Sequence, residues 1–249
     1  MSWRASKEEY KDKQCIKSKK YFATVALTIY IFIEMKSTPP PDPTEPLIDY
    51  FGRMLPLNKT EMELVRDKFR HRLYRKRQFA LQEGGLCLHF NFVVRGCLRM
   101  YKIDDMGNTH TLQFAAENSW IMDLGSFYGL TPSALNIDAL EDTVVLQINR
   151  DDLIILYTRA PKFDRIFRVL VENSFIRLQQ RLLQNISSTA EDRFNSFLEI
   201  YPHLANRLSQ VQIASFLGIT PEFLSRLRNK KSKKPKKAQA GNRAEPGKA

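Results

Sequence analysis

QVQIASFLGITPEFLSRLRNK, Gln210 to Lys230, carries two helical patterns separated by a glycine. The first pattern places three apolar side chains on one face: Ile213, Ala214 and Leu217. Gly218 follows, and glycine readily adopts the left-handed backbone conformation that ends a helix and turns the chain. Thr220 is a favourable N-cap, and Pro221 suits the first turn of the next helix, where a missing N–H group costs nothing. The stretch therefore predicts two short helices that meet at a sharp turn.

The second helix divides its side chains between faces. Leu224 and Leu227 point back toward a core, and the other faces carry Glu222, Phe223, Ser225, Arg226, Asn229 and Lys230. This division is typical of a helix-turn-helix unit, in which the second helix enters the major groove of DNA. A helical bundle with a purely structural role is the alternative interpretation.

Specific DNA contacts follow from the chemistry of these side chains. Arg226 can donate to guanine O6 and N7, and Glu222 can accept from cytosine N4. Ser209 or Gln210, together with the backbone amides at the start of the first helix, can hold phosphates. The predicted DNA-binding residues are Ser209, Gln210, Thr220, Pro221, Glu222, Phe223, Ser225, Arg226, Asn229 and Lys230.

The net charge of +12 is concentrated at the two ends of the chain. Residues 226–249 hold ten Lys/Arg against one Glu, which gives +9, and residues 1–20 hold seven against three acids, which gives +4. The remaining residues, 21–225, therefore sum to −1. A local basic patch favours nucleic acid or an anionic membrane surface as the partner. A solvated tail that only aids solubility is the other interpretation.

The N-terminal residues 1–46 are predicted to be an extension outside the fold. The run YFATVALTIYIFI, residues 21–33, has thirteen uncharged residues, whereas a membrane helix needs about 20. A signal peptide fits its basic leader, but no A-x-A-type cleavage site follows. We favour a translation start at Met35, which makes residues 1–34 an artefact of the gene prediction. A membrane anchor is the alternative.

The middle of the chain changes from helix to strand and back. Helices are predicted from Leu47 and over NKTEMELVRDKFRHRLY, residues 58–74, with Asn58 or Thr60 as the cap of the second. Aromatic and β-branched runs between residues 77 and 150, with a hairpin connection at residues 105–108, indicate an antiparallel sandwich or barrel. A short helix then ends before Pro161.

A long helix follows, over residues 162–186. Its apolar positions recur at near-heptad spacing: Phe163, Phe167, Leu170, Leu178 and Leu182. The stripe has two possible uses, since it either covers the core of its own chain or pairs with a second copy as a coiled coil.

The segment LSQVQIASFLGITPEFLSRLRNK resembles the winged-helix C-terminus of the catabolite-activator/Fnr (Crp/Fnr) family of bacterial regulators. FVVRGCLRMYKIDDMGNTHTLQF resembles the roll of a cyclic-nucleotide-binding domain, and the long helix resembles the dimer helix of the family. The resemblance implies an α+β fold: an antiparallel β-roll with flanking helices (47–160), a dimerisation helix (161–187) and a helix-turn-helix domain (188–230). A basic tail (231–249) without a wing hairpin follows.

This resemblance implies a homodimer, joined through helix 162–186, that binds a palindromic operator in double-stranded DNA and alters transcription. The cysteines Cys15, Cys87 and Cys97 offer no disulfide framework, which fits a reducing, cytoplasmic compartment. RNA polymerase is a further implied partner. The base-reading positions of the family fall on Pro221, Glu222, Ser225 and Arg226. Pro221 replaces the usual first arginine of that pattern.

The predicted effector pocket departs from the family pattern. Cyclic-AMP binders present a Gly-Glu pair and an Arg-Ser/Thr pair, whereas this chain has Met122-Asp123 and Ser133-Ala134. Without the arginine, a buried cyclic phosphate has no charge partner, so we do not expect cyclic AMP to bind. The candidate pocket residues are Asp123, Leu124, Ser133 and Ala134, for an effector of unknown identity.

No cofactor or metal is predicted. The three cysteines (Cys15, Cys87 and Cys97) are too dispersed to hold the iron–sulfur cluster of the oxygen-sensing branch. Four aromatic residues either line an apolar pocket or pack in the core, and packing is favoured: Phe114, Trp120, Phe127 and Tyr128.

Two other function classes remain. The first is an effector-binding adaptor that attaches to a membrane or an acidic partner through its basic termini. The second is an enzyme, which we do not expect because the sequence has no P-loop, no G-x-S-x-G motif and no coherent acid/base pair.

Overall fold

The structure is a computed structural model that describes residues 42–232. The predictions made for the N-terminal extension, for the apolar run at residues 21–33 and for the tail at 231–249 fall wholly or mostly outside these residues. The helices are α1 (Glu45–Met54), α2 (Lys59–Lys68), α3 (Leu124–Gly129), α4 (Arg150–Arg159), α5 (Lys162–Ser187), α6 (Ala190–Ile200), α7 (Gln210–Leu217) and α8 (Pro221–Ser232). The strands are β1 (Arg70–Tyr74), β2 (Phe79–Leu81), β3 (His89–Arg95), β4 (Leu98–Ile103), β5 (Thr109–Ala115), β6 (Ser119–Ile121), β7 (Asn136–Ala139) and β8 (Thr143–Asn149).

The strands form two four-stranded antiparallel sheets, in the orders β1-β8-β3-β6 and β2-β7-β4-β5. The predicted hairpin joins β4 to β5, and the Asp104 carboxylate accepts the N–H groups of Met106 and Asn108 within its turn. This arrangement confirms the antiparallel sandwich, and β5 lies at the outer edge of its sheet.

The predicted helix over residues 58–74 is wrong in its last part. Asn58 caps α2 in a capping box with Glu61, but the helix ends at Lys68 and Arg70–Tyr74 form β1, paired with β8. Strands therefore begin at residue 70 rather than 77. Four of the five β1 side chains are exposed, and only Tyr74 is buried. The sequence consequently lacks the apolar alternation that indicates a strand, and the hydrogen bonds to β8 determine the conformation.

The long helix α5 serves its own core in its first half only. Phe163, Ile166, Phe167 and Leu170 are buried in the same cluster as Phe51 of α1 and Phe90 of β3. The second half leaves six large apolar side chains exposed: Phe175, Ile176, Leu178, Leu182, Leu183 and Ile186. Self-burial therefore explains the heptad stripe up to Leu170 and does not explain the rest.

A second apolar cluster joins the C-terminal helices to the roll. Phe194, Phe197, Ile213, Leu217 and Leu224 pack there, and the roll contributes Cys97 and Phe114. Burial raises the pKa of the Cys97 thiol to about 12. Within residues 42–232, no helix combines the length and the apolar character needed to cross a membrane.

Candidate functional site

The α7–α8 unit has the local geometry that its sequence predicts. Ser209 caps α7, because its Oγ accepts the Gln212 N–H at 3.2 Å while Gln212 Oε1 accepts the Ser209 N–H at 2.8 Å. Gly218 ends α7 with φ of +65°. Thr220 Oγ1 accepts the Phe223 N–H at 3.2 Å at the start of α8. The two helices meet at a turn of three residues.

The outward face of α8 carries most of the predicted DNA-contacting side chains. Leu224 is fully buried, whereas the following side chains are exposed: Glu222, Phe223, Arg226, Asn229 and Lys230. Pro221 and Ser225 are half-buried, and Ser209, Gln210 and Thr220 are exposed at the helix starts. The structure thus places all ten predicted residues on α8 or at the two helix starts.

Arg226 and Lys230 have identifiable neighbours on the protein. The Arg226 guanidinium lies 5.4 Å from the centre of the Phe223 ring. Lys230 Nζ is 2.8 Å from Glu191 Oε2 of α6, in an exposed ion pair. Exposed pairs of this kind contribute about 0–1 kcal/mol, so a phosphate can readily compete for Lys230.

The α7–α8 unit is docked on the edge strand of the roll. Ser215 of α7 accepts the Thr111 N–H of β5 at 3.0 Å, and its own hydroxyl donates to the Thr109 carbonyl. These contacts cover part of the β5 edge, where backbone groups would otherwise lack partners.

Arg181 of α5 links the same elements. Its guanidinium donates to the carbonyls of Thr111 and Leu112 on β5 and of Phe216 on α7, and it lies 4.0 Å from the centre of the Phe216 ring. Burial lowers the pKa of this guanidinium. Hydrogen bonds to these neutral carbonyls compensate the desolvation of its N–H groups, but they do not neutralise its charge.

Arg207 makes a third link between the helical unit and the roll. Its two terminal nitrogens each lie 2.9 Å from a Glu117 carboxylate oxygen, and Glu141 accepts a further bond. Burial alone would raise the pKa of Glu117, but the bonds from Arg207 and from the Gly96 N–H outweigh it and lower that pKa to about 2.

The predicted effector residues bond to one another. Asp123 caps α3 by accepting the N–H groups of Gly125 and Ser126, and its other oxygen accepts the Ser133 hydroxyl at 2.6 Å. Leu124 is half-buried, and Ala134 is exposed. Asp123 therefore already occupies the amides at the start of α3.

A cavity of about 410 Å³ lies elsewhere, where the roll, α5 and the C-terminal helices meet. We call it the junction cavity. Of the four predicted effector residues only Leu124 lines it. Phe114 and Trp120 line it too, whereas Phe127 is buried in the core and Tyr128 is exposed. Three arginines also line it: Arg177, Arg181 and Arg193. Sequence reasoning missed these arginines, because their spacing alone does not show that they share a wall.

Comparison with known proteins agrees with this architecture. Residues 71–159 match the family model of the cyclic nucleotide-binding domain. No curated protein sequence matches the chain at a significant level.

Solved structures show the same fold at low sequence identity. FixK2 from Bradyrhizobium japonicum is 22% identical, with a TM-score of 0.58 over 65% of this chain and 83% of that protein. CLP of Xanthomonas campestris, described as a c-di-GMP responsive global regulator, is 14% identical, with a TM-score of 0.58 over 70% and 92%. A protein from Eubacterium rectale, described as a transcriptional regulator of the crp/fnr family, is 19% identical, with a TM-score of 0.56 over 74% and 88%.

Residues 71–159 are therefore similar to a cyclic nucleotide-binding domain, and the chain has the fold of solved Crp/Fnr regulators. The resemblance drawn from the sequence is confirmed at the level of fold, and the α+β fold class is confirmed with it.

Proposed function

We propose that this chain, which has the fold of the Crp/Fnr regulators, is a DNA-binding transcription regulator that works as a homodimer. The observation that carries the proposal is the outward face of α8. Glu222 and Arg226 are four residues apart and both exposed, on a helix whose Leu224 is fully buried. A helix held by its inner face presents its outer side chains in a fixed geometry, as base reading in a major groove requires.

The surroundings of α8 support the same use. Lys230 extends the exposed face by one more turn, and the sequence after it adds a lysine-rich run. Basic side chains beside a reading helix attract the phosphate backbone without regard to base sequence. Base contacts from Glu222 and Arg226 then supply the discrimination.

The roll is the effector domain in this proposal, and cyclic AMP is not expected as its effector. Asp123 occupies the amides of Gly125 and Ser126, so an incoming phosphate would meet a carboxylate there. Ser133 has no charge to replace the missing arginine. Both features disfavour a cyclic phosphate at this position.

Selection of bound fragments from random duplex DNA tests the proposal. The full-length chain is expected to recover a nearly palindromic site with half-site centres one helical turn apart, about 34 Å, or a multiple of it. Footprinting on the selected duplex measures the spacing. Recovery of fragments without a common sequence would contradict sequence-specific DNA recognition by this protein.

The homodimer is proposed from the second half of α5. Phe175, Leu178 and Leu182 recur at alternating spacings of three and four residues, and they are 65%, 59% and 58% exposed. A heptad stripe of this kind pairs with a copy of itself in a coiled coil. Pairing would also relate the two α8 helices by a twofold axis, as recognition of a palindromic operator requires.

We predict that Leu182→Ala weakens the dimer about tenfold or more. Two leucine side chains, one from each protomer, then no longer contribute roughly 1 kcal/mol each to dimerisation through apolar burial. Sedimentation equilibrium measures the dissociation constant. Leu88→Ala is the matched control, since Leu88 is 55% exposed and belongs to the connection between β2 and β3 rather than to α5. Equal weakening by both substitutions, or a monomeric wild-type chain, would exclude this interface.

A further inference from the structure

The junction cavity combines an aromatic lining with a positive charge. Among residues 42–232, seven aromatic residues line it, including Tyr50, Trp120, Tyr201 and Phe216. The same part of the chain contributes three arginines to the lining and no Asp or Glu. At about 410 Å³, it falls within the range of small-molecule sites, which measure about 300–1,000 Å³.

One stripe of α5 forms the basic wall of this cavity. Ser174, Arg177, Arg181 and Gln184 line it at helical spacing. Of the proposed dimer seam, Phe175 and Leu182 do not line the cavity, whereas Leu178 does. The cavity and the seam therefore share Leu178 and are otherwise formed by different side chains of α5.

Arg177 is the cation available to a ligand. Arg181 and Arg193 donate to backbone carbonyls of β5, α7 and the α5–α6 connection, whereas Arg177 donates to the Ser174 hydroxyl at 2.9 Å. The Arg177 charge also favours the ionised forms of Tyr50 and Tyr201, although burial is the larger effect and raises the pKa of each. Its guanidinium therefore acts on aromatic groups from two walls of the cavity.

Trp120 of β6 offers a further donor to the cavity. The Trp120 indole N–H is buried and makes no hydrogen bond with the described residues, and the nearby Tyr50 hydroxyl interacts with it without reaching hydrogen-bond geometry. A buried donor without an acceptor destabilises the folded state. An acceptor atom on a ligand would remove this destabilisation.

We propose that the junction cavity binds a small molecule with a flat aromatic body and one anionic group, which pairs with Arg177 while the body lies against Trp120, Tyr201 and Phe216. The site is separate from the Asp123–Ser133 position at the start of α3. Its walls belong to the roll, to α5 and to α7, so such a ligand touches both the proposed dimer helix and the proposed DNA-reading unit. Only its description as an effector rests on the proposed function.

A pair of probes that differ in one charged group tests the site. The anion 1-anilino-8-naphthalenesulfonate and the neutral N-phenyl-1-naphthylamine share their rings, and both fluoresce in apolar surroundings. The chain has two tryptophans, so Trp3→Phe leaves Trp120 as the reporter of the cavity. We expect the anion to bind saturably to the full-length Trp3→Phe chain and to quench Trp120.

In the same background, Arg177→Gln is expected to weaken the anion about tenfold and to change the neutral probe by less than about twofold, since only the anion loses a charge-assisted hydrogen bond. Arg165→Gln is the matched control, because Arg165 is an exposed arginine on the same helix that does not line the cavity. Anion binding without quenching of Trp120, equal weakening by both substitutions, or equal loss of both probes would overturn the proposal. These measurements contain no DNA, so their outcome is independent of the outcome of the DNA selection.

Discussion

Replacement of Arg226 by alanine is expected to lower the affinity for the selected operator by about two orders of magnitude or more, with a much smaller effect on random DNA. A bidentate contact from arginine to guanine is worth about 1–3 kcal/mol, and a symmetric dimer loses two of them. Arg226 is suited to this role because it is exposed on the face opposite the buried Leu224. Fluorescence anisotropy with operator and random duplexes at one salt concentration measures both affinities.

Lys230→Ala serves as the control, since its expected contact is a phosphate. That substitution should weaken both duplexes to a similar extent and reduce the slope of the salt dependence by about one for each phosphate that is no longer neutralised. If Arg226→Ala lowers binding to both duplexes equally, Arg226 contacts the DNA backbone, and the proposal that this face of α8 recognises bases is wrong.

The largest loss of stability is expected from Gly96→Ala, at the turn between β3 and β4. Gly96 has φ of +100°, and an added Cβ would lie 2.7 Å from the Thr143 Cα and 2.8 Å from the Asp142 carbonyl oxygen. Both are backbone atoms, so two chain segments must move apart. We expect the free energy of unfolding to fall by about 3 kcal/mol or more. Urea denaturation followed by circular dichroism measures it.

Gly107→Ala separates the two causes of this loss, which are the backbone strain at positive φ and the steric clash of the added Cβ. Gly107 also has positive φ, +83°, but an added Cβ there meets no atom within 4 Å. Its substitution should cost only the backbone strain of about 1–2 kcal/mol. If both variants lose the same stability, the close approach to Thr143 plays no part.

The helical unit could be predicted from the sequence because its determinants are local. Ser209, Gly218 and Thr220 each act on groups within a few residues along the chain. Local reasoning still left two candidates, Asn58 and Thr60, for the cap of α2. The hydrogen bonds of the fold show that Asn58 is the cap.

The junction cavity and β1 could not be predicted, because their determinants are distant in sequence. Arg181 bonds to Thr111 and Phe216, which are 70 and 35 residues away. In β1, mostly exposed side chains leave no apolar pattern, and the partner that makes it a strand is β8, more than 60 residues later. At the predicted effector position, the hydrogen bond from Ser133 to Asp123 could be found only from the fold.

The division of α5 bears on the order in which the protein assembles. Phe163, Phe167 and Leu170 are buried in the core of their own chain, so each protomer completes its hydrophobic interior alone. Any pairing through the later turns of α5 then joins two chains that are already folded. The fraction of dimer depends on protein concentration, whereas the folding of each chain does not depend on pairing. Dilution should accordingly separate the copies while leaving their tertiary packing intact.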